Sequence, residues 1–407
     1  MDSNNSNKFV NLSHVLLQEI LNHLEDNIDR VIMTFVCKKW FAEREYYLTF
    51  NTKSVPVTSI ETFKHKQILS SHLKQMEYSL NRKKKCTAMI VKDADEGSIY
   101  SWLNIDYFVL VGQPIPDNVY LVQFGDGVNV PLESLNIHEN ANITWMRLPP
   151  SFNYPLSAKA LPKNLKSLFC GKSFNQPIRK GDLPETLEEL SIGYDFYYSL
   201  QPDTLPKSLT NLSLGHHYIC ELLPNVLTEN ITTVTNIPLT YLHMLPPTVT
   251  TVRLIGLNGQ TLKTGSIPST VTDLDFGTLM NQPLEVGMIP FGVTKLNLNR
   301  MLQVNDPVMG TIPESVIEID FSSLNKPVPI GFIPSKVEKI EFSILFQSPL
   351  ESITTIEYTY GYGTLCRRVS DDHFLLLGEK LKSKITDHSM LIDSLIEFED
   401  KKMIWSR

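Results

Sequence analysis

One pattern, restarted about every 22 residues between residues 116 and 350, constrains this chain more than any other feature of its sequence. With the proline of each Leu-Pro or Ile-Pro pair taken as zero, apolar residues recur at plus 3, plus 6 and plus 8. Pro162 is followed by Leu165, Leu168 and Cys170, Pro184 by Leu187, Leu190 and Ile192, and Pro268 by Val271, Leu274 and Phe276. Thr228 and Asn140 stand where other copies carry the proline. The anchors fall at 116, 140, 162, 184, 206, 228, 246, 268, 290, 313 and 334, separated by 24, 22, 22, 22, 22, 18, 22, 22, 23 and 21 residues, which makes eleven copies. One copy buries about four apolar side chains at ~1.5–3 kcal/mol each, whereas ordering its backbone costs about 1–2 kcal/mol per residue. A lone copy cannot fold, so the copies must stack into a solenoid.

Within each copy, plus 6 and plus 8 are apolar while plus 7 is mostly polar, and only the alternation of a strand explains that spacing. The spacing predicts one short parallel strand per copy, around plus 5 to plus 9. At plus 12 to plus 16 the return legs read Val128–Leu132, Phe152–Leu156, Phe174–Ile178, Met280–Leu284 and Phe346–Leu350, with proline at plus 15 in all five. Proline removes a donor and fixes an extended or turn backbone, so the legs are expected to be non-helical. Asparagines at plus 13 (Asn129, Asn153, Asn175, Asn281) suit a bend and can bond from turn to turn. Glycines three before the anchor (Gly181, Gly265, Gly287, Gly310, Gly331) allow a positive φ at each restart.

The Phe174-Asn175-Gln176-Pro177-Ile178 core, the Gly181 spacer and the Leu183-Pro184 restart resemble the FNIP repeats of slime-mould and giant-virus proteins, a leucine-rich-repeat-like family. That resemblance implies a protein-interaction surface and no catalytic activity. The copies anchored at 184, 206 and 228 depart from it in the return leg. The expected fold is mainly β, a parallel-strand solenoid of about eleven FNIP/LRR-like repeats over 116–350.

Ahead of it, Leu12, Val15, Leu16, Ile20, Leu21 and Leu24 form one helical stripe, and Ile28, Val31, Ile32, Phe35 and Val36 form a second. Leu12, Leu16-Leu17, Glu19-Ile20-Leu21 and Val36-Cys37-Lys38-Lys39-Trp40 resemble an F-box, with Ser13 where that family usually has proline. The resemblance implies a ubiquitin-ligase adaptor as partner, gripped by Leu12, Leu16, Ile20, Val36 and Trp40. A second reading stays open, in which the same helices only cap the open end of the solenoid. Residues 1–50 are thus an F-box-like helical segment and 51–115 a linker and N-terminal cap. In the latter, Ile60 to Leu80 is a candidate helix, and Ala88–Val91 and Tyr107–Val111 are candidate strands. Residues 351–407 are expected to form a C-terminal cap, helical from Asp372 to Trp405.

Composition narrows the function. Against 37 Lys and Arg stand 44 Asp and Glu, a net charge of −7, which disfavours nucleic acid as partner. The basic run Arg82 to Lys85 reads as a solvated loop. No apolar run approaches the ~20 residues of a membrane span, and the N-terminal MDSNNSNK has no secretory apolar segment. The chain is therefore expected in the cytoplasm, with the nucleus as the alternative. Its five cysteines are scattered without a C-x-x-C, as reduced core thiols would be. No Walker loop, G-x-S-x-G, H-E-x-x-H or dinucleotide fingerprint occurs, so no catalytic, cofactor or metal site is expected. A glycan-processing β-solenoid would need a placed acid/base pair, and none is evident.

Protein partners are what remains, either as the substrate receptor of an SCF-type ubiquitin ligase or as a signalling scaffold using the solenoid alone. The target-facing surface is legible by rule, because plus 5 and plus 7 point away from the core. Trp145, Arg147 and Phe169 break a column that otherwise avoids apolar groups and have the composition of a binding hot spot. They are expected to anchor a protein ligand, unless the N-terminal residues fold over them. Asp273, Asp275 and Asp320 are expected to steer its approach.

Overall fold

The computed structural model describes residues 11–24, 27–50, His72, Gln75, Ser79 and 85–387 apart from 101–102, 104, 136, 138–139, 141, 217, 219, 256–259, 278–281, 299–307, 322–331, 343–354, 359–363, 369–372 and 379–380. The candidate helix at Ile60 to Leu80 lies mostly outside these residues, as do Asn281, Gly331, the leg at Phe346–Leu350 and the tail beyond 387. The chain forms two compact units, Met1–Gly193 and Tyr194–Arg407.

In the first unit, helices α1 (His14–Asn22), α2 (Asn27–Thr34) and α3 (Lys38–Ala42) precede strands β1 (Cys86–Val91), β2 (Tyr107–Leu110), β3 (Val119–Phe124), β4 (Trp145–Arg147), β5 (Ser167–Phe169) and β6 (Glu189–Ser191). Helix α4 (Ala94–Ile99) joins β1 to β2. All six strands are parallel, in the order β2-β1-β3-β4-β5-β6. The second unit continues with β7 (Asn211–Ser213), β8 (Thr233–Pro238), β9 (Thr251–Ile255), β10 (Asp273–Asp275), β11 (Lys295–Asn297), β12 (Glu318–Phe321) and β13 (Lys339–Phe342), each parallel to the next. Every one of the eleven anchors therefore carries a strand, four in the first unit and seven in the second. The fold is a parallel β-solenoid, and most of its strands are shorter than the alternation suggested, three residues from plus 5 to plus 7.

Ten of the eleven turns open the same way, the copy at 140 being the exception. The anchor carbonyl accepts a hydrogen bond from the amide three residues on, as in Leu165 N to Pro162 O and Leu187 N to Pro184 O, both at 3.1 Å. That β-turn drives the plus 3 side chain inward, and the strand then alternates, so Leu165, Leu168, Leu187 and Leu190 are all fully buried. The return leg adds pegs at plus 12 and plus 16. Phe152 stacks on Phe174 with centroids 6.2 Å apart in the first unit, and Phe196 on Tyr218 at 6.4 Å in the second. Copies 184 and 206, which lack the Asn and Pro of the leg, thus keep its buried aromatic peg. Asn153 Oδ1 accepts from Asn175 N at 2.9 Å, so the plus 13 asparagines do bond from turn to turn here.

The 18-residue step after Thr228 has a definite solution. Strand β8 shifts register against β9 between Thr235 and Ile237. Asn236 takes the left-handed conformation (φ 59°) and its side-chain amide donates to Leu214 O at 3.0 Å. A 3-10 turn, Leu239–Met244, then replaces the extended leg and buries Leu239 and Leu242 in place of the usual pegs.

The expectation of a helical C-terminal cap is corrected for the described residues up to Asp387. Strand β14 (Thr355–Tyr358) adds in parallel to β13, after which β15 (Thr364–Arg368), β16 (His373–Gly378) and β17 (Leu381–Asp387) run antiparallel. The edge of β14 offers unpaired backbone donors and acceptors, and a following strand satisfies them where a helix would not. The run Phe374 to Leu377 fits either period, and Leu381-Lys382-Ser383-Lys384-Ile385 carries a strand alternation as well as an i, i+4 pair.

Candidate interaction surfaces

On the strand face of the first unit, the plus 5 and plus 7 residues are aligned by the parallel register. Trp145 pairs with Leu121 on one side and Ser167 on the other, and Arg147 with Gln123 and Phe169. Met146 and Leu168, one residue away, are fully buried, so the outward direction of their neighbours follows from the pleat. The rings of Trp145 and Phe169 meet diagonally with centroids 4.8 Å apart. The Arg147 guanidinium carbon lies 5.5 Å from each ring centroid, within cation–π range. Trp145 and Phe169 are half-buried and Arg147 is exposed, so the described N-terminal helices do not cover the three. Leu121 and Gln123 extend this patch. The same counting rule applied to the anchor at Pro116 finds them.

In the second unit the plus 5 column alternates in sign from Asp273 to Lys339, and the plus 7 column sets Arg253 before Asp275. Arg253 Nε lies 3.3 Å from Asp275 Oδ2, and Lys295 Nζ 3.2 Å from Glu318 Oε2. Asn297 donates to Asp320 Oδ2 at 2.7 Å, and Asp275 Oδ1 accepts from Gly277 N at 2.7 Å. A cavity of about 150 Å³ is lined by Asp273, Lys295, Asn297, Glu318, Asp320 and Lys339. Partial burial raises the pKa of Asp273, against the pull of Lys295 and with the help of Asp275 and Glu318. The three aspartates thus share one face, but Asp275 and Asp320 have donors within the sheet and Asp273 sits among both signs of charge. Among the described residues, no three His, Cys, Asp or Glu side chains gather as a metal-binding group.

The N-terminal helices form a small core of Leu17, Leu21, Val31, Trp40, Tyr47, Leu48 and Phe50. Ser13 caps α1 by accepting from Leu16 N at 3.3 Å, and Cys37 caps α3 by accepting from Trp40 N at 3.4 Å. Arg30, buried on α2, donates to Leu24 O at 2.8 Å and to Thr49 O at 2.7 Å, tying the bend after α1 to the end of the segment. Outside this core stand Val15, Leu16, Ile20, Ile28, Ile32, Phe35 and Val36. Leu16 is 51% and Val36 56% exposed, Ile20 is the least exposed at 38%, and Leu12 is partly buried against the core. Trp40 is a correction. At 1% exposure, with its carbonyl accepting from Tyr47 Oη at 2.8 Å, it belongs to the core and cannot grip a partner while the segment is folded.

The FNIP repeat family model matches residues 152–195, 174–217, 196–235, 258–300 and 305–343, so the chain carries FNIP repeats over both units. A solved crystal structure of CroV588, described as a novel circular LRR protein, is 20% identical to the chain, covers 61% of it and has a TM-score of 0.43. The chain spans less than half of that protein's length, 45%. None of the curated proteins matches the chain.

Proposed function

We propose that this is a non-enzymatic interaction protein that acts as the substrate receptor of an SCF-type ubiquitin ligase, its N-terminal helices docking on the adaptor and its strand face receiving the target. The observation that carries the reading is the row of apolar side chains left in solvent on α1, α2 and the turn after them, although the same segment has a packed core of its own. Exposed apolar groups in such number mark an interaction surface. Helix-face docking concentrates its energy in a few buried anchors, and Leu16, Ile20 and Val36 are assigned that role. The strand face supplies the second surface, with Trp145, Arg147 and Phe169 as anchors. Asp273, Asp275 and Asp320 adjust the approach of a partner.

A second reading, a scaffold whose N-terminal helices only cap the repeats, is favoured by one contact: Tyr107 of β2 packs against the helical core. Replacing Leu16 and Ile20 together with Asp separates the two. On the receptor reading, recovery of the adaptor with the purified full chain is lost while its melting temperature holds. Unchanged adaptor recovery would leave the scaffold.

A further inference from the structure

On the outward face of the second unit, cations are answered from the next strand, Arg253 by Asp275 and Lys295 by Glu318. Arg147 is the exception. Its cross-strand neighbours in register are Gln123 and Phe169, and among the described residues it makes no ion pair. The outward carboxylate of Glu189 stands two strands away and in the other column, opposite Ser167. The guanidinium is instead held against two aromatic faces, which attract its charge without using its five in-plane donors. A guanidinium held against two rings, with no ion-pair partner among the described residues, is a ready donor site for a carboxylate, and the forked geometry favours two parallel bonds.

We propose that Trp145, Arg147 and Phe169 clamp an acidic side chain, Asp or Glu, presented by an extended segment of a partner protein next to an apolar residue. This rests on the reading of the strand face as the target-binding surface and gives that target a chemistry. The spacing follows from the geometry. In an extended segment, residues two apart share a face and stand about 7 Å from one another. The guanidinium and each ring centroid are 5.5 Å apart, so an acidic residue over Arg147 places an apolar residue two positions away over the indole or the phenyl ring. Leu121, in register with Trp145, extends the apolar side of the clamp.

The test uses the purified full chain, calorimetry and the peptide acetyl-Gly-Ser-Leu-Ser-Asp-Ser-Gly-amide, whose amide end leaves the Asp as the sole carboxylate. Changing that Asp to Asn should weaken binding about tenfold, since the charge-assisted pair is lost. Arg147→Met should weaken the Asp peptide to the same degree and leave the Asn peptide unchanged. Arg147→Glu should reverse the preference toward a peptide with Lys in place of Asp. Equal binding of Asp and Asn peptides, or an Asp preference that survives Arg147→Met, overturns the clamp. So does a phosphoserine peptide that binds more than tenfold tighter than the Asp one, because the site would then be built for phosphate. Trp145→Phe, which keeps an aromatic face, should retain the Asp preference, and melting temperatures verify that each variant is folded. No ligase subunit is present, so failure here leaves adaptor recovery by the N-terminal helices untouched, and the reverse holds as well.

Discussion

In six of the eleven copies, three residues before the anchor, the backbone of a described residue passes through the left-handed region, and this makes a substitution with a predictable sign. Gly181 has φ 87°, and a Cβ built there meets nothing within 4 Å. The cost of Gly181→Ala is therefore one of backbone conformation and not of crowding. An L-residue held left-handed costs ~1–2 kcal/mol, while alanine's stiffer unfolded chain returns ~0.4–1 kcal/mol. The net loss is about 1 kcal/mol, a fall in melting temperature of about 2–4 °C for a unit of this size. Gly97, inside α4, is the control. Its added Cβ would lie 3.7 Å from Phe108 Cδ1 and from Val91 Cγ2, ordinary contact distances. Gly97→Ala should therefore gain ~0.5–1 kcal/mol from helix propensity. Opposite shifts of the two variants, followed by circular dichroism on heating, are the expected result. If Gly181→Ala raises the melting temperature as Gly97→Ala does, the left-handed restart is not a constraint on the fold.

Thr186 Oγ1 lies 3.0 Å from Lys163 O and 2.9 Å from Leu165 O of the previous turn, so Thr186→Val, nearly the same shape, should cost ~0.5–1.5 kcal/mol in a urea or thermal melt while Thr186→Ser costs less. Asp273 gives a pH prediction. Burial raises its pKa, so between the ordinary aspartate value and the raised one the folded state binds more protons than the unfolded state, and stability falls as pH rises through that window. Asp273→Asn should flatten this fall when melting temperatures are compared from about pH 4 to pH 7, and an unchanged slope would remove Asp273 as its source.

The pegs, the turns and the strands were legible because a solenoid writes each structural requirement many times over. Leu168, Leu190 and Leu212 are buried for the same reason, and any one of them predicts the others. Features supplied by different residue types in different copies were harder to see. The left-handed restart is made by glycine at 181, but by Asp203 (φ 63°) and Asn225 (φ 63°) in the copies at 206 and 228. Both are among the few L-residues whose short polar side chains tolerate that region. The bond from plus 2 to the preceding turn is likewise made by Thr186, Thr248, Thr270 and Ser315, and by Asn142 and Asn230 elsewhere. No single residue type marks the position, although every one of these can donate from a short side chain. The C-terminal strands escaped because the period ends there, and a short apolar run without a repeat does not declare itself.

The surfaces show where residue-by-residue reading stops. Alternation fixes the direction in which Asp275 or Arg147 points, but what either side chain does is decided by the residue at the same offset one copy away. Reading down the columns supplies that information. Plus 5 runs Thr251, Asp273, Lys295, Glu318, Lys339, an alternation of sign that foretells cross-strand pairs. Plus 7 places Asp275 after Arg253, and their side chains meet at 3.3 Å. Applied to the first unit, the same procedure sets Gln123 and Phe169 on either side of Arg147 and Leu121 and Ser167 on either side of Trp145, which predicts an unanswered cation beside an aromatic pair. For the N-terminal helices no repeat exists to read down. The stripe containing Leu17 and Leu21 and the one containing Leu16 and Ile20 are adjacent on one helix, and packing alone chose which to bury. Trp40 followed the buried choice, whereas Leu16, Ile20 and Val36 followed the exposed one. An apolar stripe in a short helical segment therefore says that something covers it, and only the folded segment distinguishes its own core from the face left for a partner.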